Sequence, residues 1–168
     1  METIFLTDFT DSRFQKAFQV YFEELGIHVK NWEGVFAEMN GDSHGNAAYV
    51  RLDGERVVGF IQFCPMELSG WFFTKELGFI REFWIAPEYR GQGHGTALLG
   101  LAEGWFQSRG FAGAILTTNT APGFYTRLGY RLDPGFSAKN GDPVFVKDLP
   151  PLKPEAGAQG MTLETPTN

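Results

Sequence analysis

Two spacings alternate along this chain of 168 residues. Phe14, Ala17, Phe18, Tyr21, Phe22 and Leu25 recur three and four residues apart, the period of one helix face, with Thr10 or Asp11 placed to cap the start and Gly26 to end it. A shorter helix is predicted from Trp32 to about Met39, closing at Asn40-Gly41. Strand-like runs follow at residues 47–52 and 56–63, joined by Asp53-Gly54, a hairpin signal. Residues 77–86 read as a further strand, reached through an irregular loop that holds Trp71, Phe72 and Phe73. Beyond Pro87 a glycine-rich turn leads into a helix whose apolar face is predicted as Ala97, Leu98, Leu101, Ala102 and Trp105, with Arg109-Gly110 as its stop. Residues 112–117 read as a short buried strand, 122–128 as a short helix with Pro122 in its first turn, and 144–149 as a last strand. The order β-α-α-β-β-β-α-β-α-β is mixed α/β. Residues 1–149 therefore read as one domain, and 150–168, rich in Pro, Gly and Thr, as a tail that is flexible by composition alone unless something such as a neighbouring subunit holds it.

Composition narrows the class without naming it. A hydrophobic share of 43% against 20% charged is that of a globular chain able to bury a sizeable core, and 17 Phe residues imply bulky core or cleft walls. Cys64 has no partner for an internal disulfide, and the first residues carry neither a basic segment nor a long apolar run, so a reducing, cytoplasmic setting is expected. No stretch approaches a membrane span, and a net charge of -6 without a Lys/Arg block argues against a nucleic-acid surface. A polyanionic ligand would have to be held by local groups. His28 and His44 stand too far from each other and from other ligand residues to suggest a metal site.

Such a local device exists between the strand at 77–86 and the helix expected to begin near Gly95 or Thr96. The free N–H groups of a helix's first turn and the positive end of its dipole converge on an anion, and Gly91, Gly93 and Gly95 allow close approach and positive φ. A diphosphate suits this arrangement. A P-loop would need Gly-Lys-Ser/Thr, and a dinucleotide fingerprint would need glycine at Thr96; neither is present. A glycine-rich connection without a ligand is the alternative.

The run Arg90-x-x-Gly93-x-Gly95, preceded by Phe83-Trp84-Ile85-Ala86-Pro87-Glu88-Tyr89, resembles the GNAT superfamily of acetyl-CoA-dependent N-acetyltransferases. Gly59-Phe60-Ile61-Gln62 looks like that family's third strand, and Phe124-Tyr125-Thr126-Arg127-Leu128-Gly129-Tyr130 like its fourth-helix signature. The resemblance implies a mostly antiparallel twisted sheet of about six or seven strands flanked by about four helices, with the fourth and fifth strands splayed at a bulge near residues 83–85. It implies acetyl-CoA as co-substrate and no metal. Main-chain amides of Gly91, Gln92, Gly93, His94, Gly95 and Thr96 would hold the pyrophosphate, with Arg90 in the same cofactor-binding run, and Phe83, Trp84 and Ile85 would pair with the pantetheine arm. Asn119 matches an asparagine that often touches the cofactor, shifted by one position, and His94 stands where relatives commonly carry an aliphatic residue. Family members often form homodimers.

The same resemblance makes Tyr125 the group that meets the leaving thiolate, since an unperturbed phenol near ~10 lies above a thiol near ~8.5; the plainer role is packing the short helix on the sheet. Glu82 falls where several relatives carry a functional glutamate, but an amine near ~10.4 and a carboxylate near ~4.3 are about six units apart. Glu82 is thus expected to work through a water chain, or else to serve as an ion-pair partner of Arg81 or another surface charge. Cys64 is read as core. Arg127, Arg131 and Lys139 are either phosphate partners or solvated charges. Trp32, Trp71, Phe72 and Phe73 are the candidate wall for a small-molecule or peptide amine, with cation–π contact as the reason. Acetyl transfer to a primary amine in a ternary complex is the function the resemblance implies; the alternatives are a non-catalytic acyl-CoA-binding module or transfer of a longer acyl group.

Overall fold

A computed structural model describes residues 1–43 and 45–152 of the chain. His44 and the tail beyond residue 152, including its expected contact with a neighbouring subunit, lie outside the described residues. The elements are β1 (Glu2–Leu6), α1 (Ser12–Glu24), α2 (Trp32–Gly41), β2 (Ala47–Asp53), β3 (Arg56–Gly70), β4 (Phe73–Ile85), a 3-10 turn (Pro87–Tyr89), α3 (His94–Ser108), β5 (Gly113–Thr117), α4 (Pro122–Arg127), β6 (Arg131–Leu132) and β7 (Val144–Asp148). The seven strands form one sheet in the order β1-β2-β3-β4-β5-β7-β6. Among the described residues its only parallel pair is β4–β5.

The helix ends follow from short polar side chains. Asp11 caps α1 by accepting from Arg13 N and Phe14 N, and Asn31 caps α2 by accepting from Gly34 N. Gly26 takes φ 73° just after α1, a backbone state that glycine adopts without penalty. Two helix-covered cores sandwich the sheet, beside a smaller cluster of Leu77, Ile115, Val144 and Val146. On one face α1 and α2 bring Phe14, Phe18, Phe36 and Met39 against Val50, Phe60 and Trp84. On the other, Leu98, Leu99, Ala102 and Phe106 of α3 meet Ile61, Phe63, Ile80, Ala114 and Leu116. The buried face of α3 is thus rotated from the sequence expectation: Leu101 is exposed and Phe106 is buried. Gly78 explains part of this, because a side chain there would occupy the space of the Phe106 ring, its Cβ falling 2.2 Å from Cγ.

Two features differ from the expected strands. First, β3 and β4 continue past the body of the sheet as a two-stranded arm paired out to Gly70↔Phe73, so Trp71 and Phe72 form a tight turn instead of an irregular loop. Trp71, Phe72 and Phe73 are 99%, 94% and 81% exposed, and Trp71 holds φ 55°. Pro65 and the polar residues Glu67 and Ser69 interrupt the strand pattern, which is why it stopped the strand at residue 63. Second, the bulge lies earlier than residues 83–85. Gln62 pairs with Glu82 and Phe63 with Ile80, leaving Arg81 as the extra residue of β4.

That one residue resets the alternation of side chains. Ile80 packs on the α3 face, whereas Trp84, an even number of positions later, packs on the α1 face. It also marks where the sheet opens. Pairing between β4 and β5 covers only Leu77↔Gly113 to Phe79↔Ile115, after which the strands separate, as the expected splay requires.

Candidate active site

The splay leaves a cleft of about 870 Å³ bounded by α1, the end of β4, the Gly91–Thr96 turn and α4. Ala86 N donates to Val58 O, and Ile85 O accepts from the Arg90 side chain rather than from β3. By the alternation of an antiparallel ladder, the main-chain groups of Phe83 and Ile85 therefore face the open edge. At the turn, Gly91 and Gly93 adopt φ 75° and 86°, and a Cβ at either position would meet nothing within 4 Å. Gly93 caps α3 in the left-handed conformation without a side-chain hydrogen bond, and the first intrahelical bond is Ala97 N to Gly93 O. The N–H groups of His94, Gly95 and Thr96 are the ones such a start leaves free, and they carry the positive end of the helix dipole. Helix α3 begins one or two residues before the expected start, which adds His94 to this set. The His94 ring itself is buried edge-on against Tyr89. At Gly95 a Cβ would touch Phe124 Cζ at 3.4 Å, so the glycine lets α4 close over the turn.

Tyr125 is buried to 8% exposure and lines the cleft, and among the described residues its hydroxyl has no hydrogen-bond partner. Burial pushes its pKa up to about 12, so it stays a phenol. Its ring packs against Tyr130, whose hydroxyl donates to Glu103, and Glu103 also holds Lys147 Nζ at 2.8 Å. That network ties α3 to β7 behind the tyrosine.

Glu82 does not face this cleft directly. Because of the Arg81 bulge it points under α1, where Tyr21 Oη donates to its Oε2 at 2.8 Å, and Tyr21 lines the cleft. Burial raises the Glu82 pKa, against smaller opposing effects of the Tyr21 hydrogen bond and the Arg81 charge. Burial and the adjacent Glu82 carboxylate hold the Tyr21 phenol protonated. Arg81 turns instead to Asn46 Oδ1 and Asp42, so the expected Arg81–Glu82 ion pair is replaced by the tyrosine bond.

The other sequence candidates divide. Arg90 spans the turn, bonding Ile85 O and Glu24, while Glu24 also accepts from Trp84 Nε1 at 2.6 Å, which latches α1 to β4. Gln92 donates to Glu88 O on the turn's outer side. Asn119 is not brought to the cleft: its amide donates to Asp142, in keeping with its one-position shift. Trp32 stacks on Phe36 and meets Phe18 and Phe22 edge-on, in the helix layer. Trp71, Phe72 and Phe73 sit at the arm tip, about 30 Å along β4 from Glu82, and cannot form a wall of this cleft. Arg127 borders the cleft, Arg131 pairs with Asp148, and Lys139 is solvated. Cys64 is buried, as expected of a core cysteine.

Sequence reasoning missed Tyr21 and Gln62. Tyr21 was legible in part, since it is a hydroxyl among phenylalanines on a buried helix face and needs a polar partner. Gln62 is 1% exposed; it donates to Asn46 Oδ1 at 3.3 Å, and among the described residues its Oε1 has no partner. Its orientation is dictated by Asn46, whose amide nitrogen is committed to Met39 O and Asp42. An unpaired buried acceptor of this kind costs about 1–3 kcal/mol.

The sheet order, the splay and the glycine turn define an acyltransferase type of α/β fold. The acetyltransferase (GNAT) family matches residues 4–130, and the chain belongs to that family. Among solved structures it is similar to GCN5 from Tetrahymena, at 15% identity and a TM-score of 0.66, covering 91% of this chain and 99% of that one. It is also similar to an aminoglycoside 6'-acetyltransferase type Ii, at 22% identity and a TM-score of 0.67 over 91% and 100% of the two chains. A predicted acetyltransferase from Clostridium acetobutylicum, solved with acetyl-CoA, shares 13% identity with a TM-score of 0.67 over 82% and 95%. No curated protein matches the chain by sequence.

Proposed function

We propose that the protein transfers an acetyl group from acetyl-CoA to a primary amine. The observation that carries this is the convergence on one cleft of the start of α3, which no side chain caps, the edge-facing main-chain N–H groups of Phe83 and Ile85, and the bare Tyr125 hydroxyl. The donor set fits acyl-CoA: free amides behind Gly91 and Gly93 suit a diphosphate, with Arg90 and Arg127 at the margins, and an open strand edge suits an amide-bearing arm. Bound there, acetyl-CoA supplies an acyl group activated as a thioester. The protein's own part is positioning and proton handling. Main-chain N–H of Phe83 or Ile85 is available to a developing oxyanion. With a pKa of about 12 against ~8.5 for a thiol, complete proton transfer from Tyr125 is uphill by about 3.5 units, so the phenol acts by hydrogen-bonding the departing sulfur.

Tyr21 and Glu82 supply the path for the amine proton. The Tyr21 oxygen can accept from a nitrogen in the cleft while its own proton is already shared with Glu82. Burial of Glu82 narrows the gap between carboxylate and amine that makes direct abstraction poor. The test is thiol release from acetyl-CoA over a panel of primary amines. Tyr125→Phe is expected to lower kcat by about tenfold or more while leaving the CoA dissociation constant within about twofold. Full turnover in that variant would remove Tyr125 from the chemistry, and CoA binding without thiol release by any amine would point to a binding module.

A further inference from the structure

Beyond the body of the sheet the β3–β4 arm is one-sided. The register places Met66, Leu68 and Phe73 on the face that continues to Leu77 and Phe79, and Glu67, Ser69, Thr74 and Glu76 on the other. The apolar face ends in the Trp71-Phe72 turn, where three successive rings are almost wholly exposed, and Leu68 behind them is 40% exposed. With about 150–250 Å² per aromatic side chain, the tip offers about 500–600 Å² of apolar surface, the upper end of what a soluble monomer leaves bare. Trp71 stands at φ 55° in a two-residue turn where glycine would carry no penalty, so a large ring is retained there against the preference of the backbone. Lys75, the only charge on the apolar face of the arm, has no ion pair among the described residues.

We propose that the arm is the interface to a second copy of this chain: two arms lie antiparallel with their apolar faces together, about a twofold axis at the level of the Gly70–Phe73 pair. A Cβ at Gly70 would meet nothing within 4 Å, so the chain is open where the two faces cross. Each Trp71-Phe72 tip then lies over the Leu68–Lys75 level of the other copy, where its rings cover a leucine and meet an unpaired cation. Burying the two tips alone removes about 1,000–1,200 Å², the size at which specific interfaces begin. The one-sided build favours this occupant over a bilayer, which would surround the tip on every side. Glu67 and Glu76 stand opposite each other on the polar face, and the chain carries a net charge of -6, so an anionic surface is repelled. The arm leaves the sheet at the end away from the Gly91–Thr96 turn, so both clefts stay open in the pair and the proposal does not depend on the transfer reading.

Sedimentation velocity on the full chain over about 1 to about 200 µM makes the test, with a reversible dimer of dissociation constant about 10 µM as the expected result. Tryptophan emission should shift to shorter wavelength over the same range, because Trp71 is 99% exposed before pairing. Trp71→Ser combined with Phe72→Ser is expected to raise the dissociation constant about a hundredfold or more, and Leu68→Ser about tenfold. Glu67→Gln, on the other face of the arm, should leave it within about twofold. At about 1 µM the variants should match the wild type in circular dichroism and melting, since the replaced side chains are exposed and the monomer dominates there. A chain that stays monomeric at the highest concentration overturns the proposal, and binding of that monomer to phosphatidylcholine vesicles would give the tip to a bilayer instead. A dimer that the tip substitutions leave intact overturns it as well, whether or not any amine is acetylated.

Discussion

Tyr21→Phe removes a single hydroxyl from the 2.8 Å contact with Glu82 Oε2 and leaves the aromatic packing on Phe18, Phe22 and Phe60 in place. A hydrogen bond to an ionised group is worth about 1.5–3 kcal/mol, and one to the neutral acid about 0.5–1.5 kcal/mol. At 1.36 kcal/mol per unit, the difference moves the Glu82 pKa upward by about one unit, from a value burial has already raised. The sign follows from which form is favoured. In the folded wild type the raised pKa means that ionised Glu82 costs stability above that pKa, and the cost fades as pH falls toward the unfolded value. Without Tyr21 Oη the cost above the folded pKa is larger. The stability difference between wild type and variant should therefore widen with pH, from about 1 kcal/mol where Glu82 is protonated to about 2–3 kcal/mol where it is ionised. Urea unfolding of both proteins at several pH values from 5.5 to about 8.5 gives the difference, and isotope-edited infrared or carbon NMR of the Glu82 carboxyl gives the pKa directly. A pH-independent difference, or an unmoved carboxyl titration, would show that the tyrosine does not hold the carboxylate and would remove the proposed proton path.

Other consequences are simpler. Gly93→Ala places a Cβ on a residue at φ 86°, which should cost about 1–2 kcal/mol in thermal unfolding and weaken CoA binding measured by calorimetry, because the turn must shift to relieve it. Gly78→Ala drives a methyl into the Phe106 ring and should destabilise by about 1–3 kcal/mol; adding Phe106→Leu should recover part of the loss in urea titrations. In the dilute monomer, Trp71→Gly relieves a left-handed residue that is 99% exposed among the described residues, so stability should stay level or rise by up to about 1 kcal/mol; a clear fall in melting temperature would show that the arm tip makes contacts of its own.

Much of this molecule was legible along the chain because its signals are local. Asp11, Gly26 and the three- and four-residue spacing between them define α1, since caps and helix faces depend only on near neighbours. The glycine turn before α3 was equally plain: positive φ at Gly91 and Gly93 is a backbone requirement that few residue types meet. Tyr125 could be singled out by its neighbours in sequence, and it reached the cleft. The tertiary structure alone decided the phase of β4. One extra residue at Arg81 turns Glu82 toward Tyr21 and Gln62 rather than toward α3, and an alternating pattern cannot register an insertion whose partner strand lies some twenty residues earlier. It also decided that Trp71, Phe72 and Phe73 stand in solvent while Phe18 and Phe60 are buried. Apolar side chains look alike along a sequence, and only the positions of the surrounding strands and helices determine which of them lose their water.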